Sequence, residues 1–253
     1  MKKFTEAPAL VATAFVMSAS TGAWASDSTL KLHAAWRVSI DVDGHIVQMK
    51  ANDRLIDAVH AQIDPIARRW AFIPGQVNGL PAATETNLIV DFTFVPADDD
   101  RYTVHIDDAR TGGAVDSGRE SPPTYPRNEM FKGHSGLVVL DVAYATDGHV
   151  TDVKLVDGAP SVADAFVQSA STAVRRWTFS PEVVGGYAVA GHVVTPMCFT
   201  VERMSGPRPP KTLPPSPKCD WKPAGARAPL HDGEALAIAP AARLRDDVTT
   251  HAM

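Results

Sequence analysis

Cysteine is almost missing: Cys198 and Cys219 are the only two in 253 residues. That excludes a scaffold built on disulfides, which needs several bridges in place of a core. Basic charge is not in excess either. With 24 Lys and Arg against 29 Asp and Glu, the net charge of −5 gives no cationic footprint for nucleic acid. The chain has no HExxH pair and no Gly-rich phosphate loop, and Ser135 and Ser161 lack a nucleophile-elbow context. No His, Cys, Asp and Glu set has the spacing of a metal site, so His45 and His149 read as solvated turn residues. These absences argue against an enzyme, a cofactor and a metal. Beyond residue 25 no run is long and apolar enough to span a bilayer.

What is present begins with an export signal. Lys2 and Lys3 precede the apolar run Leu10 to Met17, and Ala23-Trp24-Ala25 offers a small-x-small cleavage site before Ser26. The alternative is an uncleaved anchor, since residues 7–25 carry no charge. The run is thin in strongly apolar side chains for a span of about 20 residues, which favours cleavage. In the oxidising compartment that export implies, Cys198 and Cys219 either close a disulfide or remain two unrelated thiols.

Hydrophobic residues make up 45% of the chain, enough for a packed core. Trp36, Val38, Ile40 and Val42 alternate with Arg37, Ser39 and Asp41, the period of a strand with one buried face. Asp43-Gly44 supplies a hairpin turn, and His45 to Ala51 returns as the second strand. Leu55, Ile56, Val59, Ile63, Ile66 and Trp70 then recur at helical steps, with a kink or break expected at Pro65. Residues 87–95 predict a third strand.

The same order returns downstream. Setting Gly148 on Gly44 places Leu140, Val142 and Tyr144 on Trp36, Val38 and Ile40. A helix carrying Val162, Phe166, Ala170, Ala173, Val174 and Trp177 follows, and Arg-Arg-Trp-x-Phe-x-Pro occurs at both 68–74 and 175–181. A turn, a face and a seven-residue motif in one order imply an internal duplication. In both copies the tryptophan reads as core and the arginines as cations complementing the helix dipole. Between the copies, residues 96–121 read as a polar connection, with 102–106 a short strand at most. Residues 204–223 are crowded with prolines, and the last thirty residues read as loosely ordered, with a weak helical tendency over 234–245.

The strand Val193 to Val201 holds Pro196, and proline belongs at a sheet edge or a bulge. An open edge there either accepts an extended partner segment or is blocked by the proline against aggregation.

The second copy resembles the C-terminal domain of the TonB energy-transducer family. The resemblance is carried by Tyr125-Pro126, Gly133, Gly136, the strand Leu137 to Tyr144, Asp147-Gly148, Val150 to Val156, and Phe166. Val174 to Pro181 with Trp177, Phe179 and Pro181, then Gly186 and the closing strand, complete it. It implies an α+β fold of two tandem TonB-C-like modules, each a three-stranded antiparallel sheet packed on a helix. The chain then divides into a signal peptide at 1–25, a degenerate module at 30–96, a linker at 97–121, the TonB C-terminal-like domain at 122–203 and a Pro-rich, loosely ordered tail at 204–253. In the family this domain works in the periplasm and binds outer-membrane receptors by strand addition. The binding edge carried over by position is Val193, Val194, Thr195, Met197, Phe199 and Val201. The expected protein is a periplasmic, non-enzymatic binder of a TonB-dependent receptor or another envelope protein. The alternatives are an inner-membrane energy transducer with an uncleaved N-terminal helix, and a structural envelope protein that self-associates as a homodimer.

Overall fold

The computed structural model describes residues 29–52, 57–97, 101–116, 121–157, 159, 161–201, 219–223, 229–246 and 248. The stretch expected to be an export signal and most of the proline-rich stretch lie outside these residues. Among the described residues no helix is long and apolar enough to cross a membrane, which says nothing about β-barrels.

The first unit opens with β1 (Leu30–Ile40), β2 (Ile46–Ala51) and α1 (Asp57–Ala67). It continues through β3 (Phe72–Ile73), the hairpin β4 (Gln76–Val77) and β5 (Leu80–Pro81), and the long β6 (Thr84–Ala97). Asp41 fixes the β1–β2 turn by accepting the N–H groups of Asp43 and His45 at 3.0 and 2.8 Å. The alternation read from the sequence holds for Trp36, Val38 and Ile40, buried together with Ile63, Phe72 and Phe92, but not for Val42, which lies in the turn beyond β1 and is exposed. Pro65 neither breaks nor restarts α1. It is the third-last residue of the helix, and α1 is a single element through Ala67.

After β6 come β7 (Arg101–Gly112), β8 (Ala114–Val115) and α2 (Arg127–Lys132). The second unit then runs β9 (Gly136–Tyr144), β10 (Val150–Leu155), α3 (Asp164–Val174), β11 (Phe179–Ser180), the hairpin β12 (Glu182–Val184) and β13 (Tyr187–Val189), and β14 (Gly191–Phe199). The tail adds β15 (Leu236–Ala237) and β16 (Arg243–Leu244). In each unit the first strand is central, paired antiparallel to the second and to the last: β2-β1-β6 and β10-β9-β14. Registers coincide as well, since Ile40 faces Ile46 and Thr84 where Tyr144 faces Val150 and Gly191. The small hairpins match residue for residue, Val77 on Leu80 and Val184 on Tyr187.

Three expectations need correction. The sheets are not three-stranded: β7 and the β12–β13 hairpin extend the first to six strands, and β15 extends the second to four. The stretch expected as a polar linker is mostly β7, paired with β6 from Asn87↔Gly112 to Ala97↔Arg101. Its charges hide the strand in the sequence because their partners, Asp91 and Glu234, lie 19 and 124 residues from Arg110. The tail is packed where it is described, and it forms strands where a helix was expected. Leu230, Ala235 and Ala242 are buried, and Trp221 pairs with Leu230 in a β-bridge.

The two units exchange arms. The segment after β6 crosses to the second unit, where β8 pairs with β11 (Val115↔Phe179), and the segment after β14 crosses back, where β16 pairs with β3 (Leu244↔Phe72). The N–H of Asp116 donates to the Thr178 carbonyl and that of Arg245 to the Ala71 carbonyl, both at 2.9 Å. Each crossing strap thus closes the other unit's core.

Candidate docking edge

The residues of the TonB-like motif build the second core. Tyr125 meets Phe166 and Phe199 edge-on, with ring centroids 5.5 and 5.7 Å away. Pro126 starts α2, a helix absent from the sequence reading, which Gly133 ends in the left-handed region at φ 68°. A Cβ on Gly136 would stand 2.5 Å from Val162, just before α3, and 3.1 Å from Phe166 within it, so glycine lets this segment lie close on β9. Gly148 has φ +83°, and a Cβ there would stand 2.1 Å from the Phe179 carbonyl oxygen. Trp177 is buried and its indole N–H donates to the Ser121 carbonyl at 3.0 Å. Phe179 stacks on Tyr144 with centroids 5.0 Å apart, and Pro181 follows it half-buried. Arg175 and Arg176 come after the helix end and stay exposed, like Arg68 and Arg69. His45 and His149 are exposed turn residues.

Burial pushes the Tyr144 hydroxyl up to about 12, helped by the Glu182 carboxylate. A raised folded value means that the protonated form holds the fold. The stability is complete below pH 10, the ordinary tyrosine value, and is lost as pH rises through 12. By pH 11.5 the loss should reach about 1–2 kcal/mol. Tyr144→Phe should remove this alkaline decline, as urea unfolding at pH 9 and pH 11.5 will measure.

The edge strand differs from expectation in what is free. Val193, Thr195, Met197 and Phe199 are buried among the core residues around α3, and Val194 is buried on the opposite face against Leu137 and Val139. Val201 lies beyond β14 and donates its N–H to the Ser135 hydroxyl at 3.3 Å. None of these side chains is exposed, so what β14 presents along its outer edge is backbone. That edge is also occupied. Antiparallel pairing turns alternate residues outward, here His192, Val194, Pro196 and Cys198. The His192 carbonyl accepts from Ile238 at 3.0 Å, Val194 pairs with Leu236, and the Pro196 carbonyl accepts from Gly233 at 2.8 Å. The Cys198 N–H donates to Asp232 Oδ1 at 2.7 Å. Pro196 places its missing N–H on this outer side, which leaves its pairing with Val139 on β9 undisturbed.

Cys198 and Cys219 are bonded, with Cα atoms 5.4 Å apart, and anchor the described tail to β14. The bridge closes a separation of 21 residues and contributes about 3 kcal/mol in the loop-entropy account. A second anchor could not be read from the sequence. The Glu234 carboxylate reaches Arg110 at 3.3 Å and His33 at 3.2 Å. Arg110 also binds Asp91 and, at 3.2 Å, Asp108. Burial pushes Asp91 up, but its His33 hydrogen bond and the Arg110 charge outweigh that and hold it below the usual carboxylate range. Burial raises Asp108 despite Arg110. His33, Asp91 and Glu234 bring their ligand atoms within 4.8 Å of one another, a metal-like grouping absent from the sequence reading, but the guanidinium already balances the carboxylates.

The model of the family Gram-negative bacterial TonB protein C-terminal matches residues 121–201, from the segment before α2 to just past β14. This segment matches the TonB C-terminal family. The Protein TonB of Pseudomonas aeruginosa is 31% identical over 85 residues, which cover 34% of this chain and 24% of that protein. The Protein TonB of Vibrio cholerae is 31% identical over 80 residues, 32% of each chain. That of Xanthomonas campestris pv. campestris strain B100 is 32% identical over 92 residues, 36% of this chain and 40% of its own. The alignments thus span a quarter to two fifths of these TonB proteins. The family match covers the second unit only.

Proposed function

We propose that this chain is a periplasmic, non-enzymatic protein-binding protein that serves TonB-dependent transport. It takes up an extended segment of an outer-membrane receptor, or of another envelope protein, along the outer edge of β14. The carrying observation is the position of β14: it is the last strand of the segment that matches the TonB C-terminal family, and its outward backbone groups are held by a two-residue tail ladder, two flanking backbone hydrogen bonds and the Asp232 carboxylate. Strand addition needs such a row of donors and acceptors for affinity. The first unit is a diverged second copy of the domain, supported by the matching strand order and registers. Its corresponding edge, on β6, is sealed along its length by β7, so this copy braces the other and binds nothing along that strand.

The test is titration of the full chain with a synthetic N-terminal segment of a TonB-dependent receptor from the same cells, read by amide hydrogen exchange. The expected result is saturable binding that displaces the tail and leaves the Val194 and Cys198 amides protected. Binding that leaves the exchange of residues 192–198 and 231–238 unchanged would remove β14 from the account.

A further inference from the structure

The tail is also informative about the segment that would replace it, an inference resting on the strand-pairing function just proposed. We infer that residues 234–237 are a built-in stand-in for the ligand. The edge of β14 selects an extended segment carrying an acidic, a small, an apolar and a small residue in that order.

Each position has a cause in the structure. Glu234 is held by the Arg110 guanidinium and by His33, and Arg110 is itself only 8% exposed at its side chain. A carboxylate there gains a charge-assisted hydrogen bond in a site that water barely reaches. Ala235 is buried against the α3 core, where little room remains for a longer side chain. Leu236 lies opposite Val194, and Ala237 lies opposite Val193. Ala237 also faces Gly112 of β7, where a glycine Cβ would come within 2.2 Å of the alanine methyl. The slot is therefore walled on one side by β14 and on the other by β7, and the wall is closest at the fourth position.

The occupant is held in two different ways. Against β14 it forms the two-residue ladder of β15 and single hydrogen bonds at Gly233 and Ile238, whereas β7 pairs with β6 along eleven residues. The disulfide retains the start of the described tail beside the slot whether or not residues 234–238 are seated. The tail thus acts as a tethered competitor, and a partner gains access by outbidding a short ladder.

The experiment uses the full, oxidised chain and a fluorescein-labelled peptide of residues 231–238. Leu236→Pro with Ile238→Pro removes two N–H groups from the seated tail. This variant should bind the peptide at least tenfold more tightly than the unaltered chain. Peptides carrying Glu234→Gln or Ala237→Leu should each bind the variant at least tenfold more weakly than the parent peptide. Equal binding of all three peptides overturns the proposed selection. A second measurement avoids reliance on the variant's folding. In the unaltered chain the outward amides of Val194 and Cys198 should exchange at least tenfold faster than the inward amides of Val193, Thr195 and Met197. Equal rates would mean that the tail is a permanent strand. Should the peptides behave as stated while a receptor segment fails to bind, the slot stands and the receptor reading falls.

Discussion

Arg110→Ala should destabilise the protein by about 3–5 kcal/mol at pH 7, measured by urea unfolding, because it leaves partly buried carboxylates without their cation. Asp91, Asp108 and Glu234 all lean on this one guanidinium, and their side chains are only 15–17% exposed. The loss should depend on pH in a defined direction. With Arg110 gone, burial dominates at Asp108, which already titrates above its ordinary value of 3.8, and Asp91 loses one of the two groups that hold it down. Raised carboxyls stabilise the fold when protonated, so the variant should recover part of its stability as pH falls from 7 towards 4. The unaltered protein should show the opposite trend at Asp91, whose depressed value gives stability that is lost as acid reaches it. A loss below about 1 kcal/mol would place the cluster among ordinary surface ion pairs.

Gly148→Ala should cost about 3 kcal/mol, combining a left-handed backbone with a backbone collision. The glycine sits at φ +83°, and an added methyl would meet the Phe179 carbonyl oxygen at 2.1 Å. Neither partner can yield, because the Phe179 N–H donates to the Gly148 carbonyl at 2.9 Å and fixes the two chains together. Gly44 repeats the arrangement in the first unit, with φ +90°, a 2.0 Å approach to the Phe72 carbonyl oxygen and the Phe72 N–H bonded at 2.9 Å. Gly44→Ala should therefore cost the same to within about 1 kcal/mol, the scatter expected of matched sites. Thermal and urea unfolding of the two single variants compare them directly. A harmless Gly44→Ala would end the view of the first unit as a copy of the second.

These two results probe what the sequence revealed and what it withheld. The β1–β2 and β9–β10 hairpins, α3 and the Arg-Arg-Trp turn were legible because their causes are local. Leu140, Val142 and Tyr144 alternate over five residues, and the glycine marking each turn lies next to the strand it ends. The strap β7 was hidden because Asp107, Asp108 and Arg110 look like a solvated loop until Thr93, Asp91 and Glu234 are brought to them. The tail failed for a related reason. Residues 234–245 have helix-forming composition, but the β14 edge and the exposed rim of β3 supply hydrogen bonds that a short helix cannot match. The motif residues Tyr125, Gly136, Trp177 and Phe179 were found by their order, and the structure gives them packing roles. The side chains of Val193 to Phe199 were legible as a strand, but their inward direction on both faces was not.

Pro196 has one more consequence. Facing outward it offers an acceptor and no donor, whereas Val194 and Cys198 on either side offer both. A chain laid along this edge meets one blank in an otherwise regular row of rungs. Whatever its frame, such a chain leaves one carbonyl facing that blank without a proton from β14. The proline therefore takes one rung from every ribbon on this edge, the chain's own tail included, and loosens its hold.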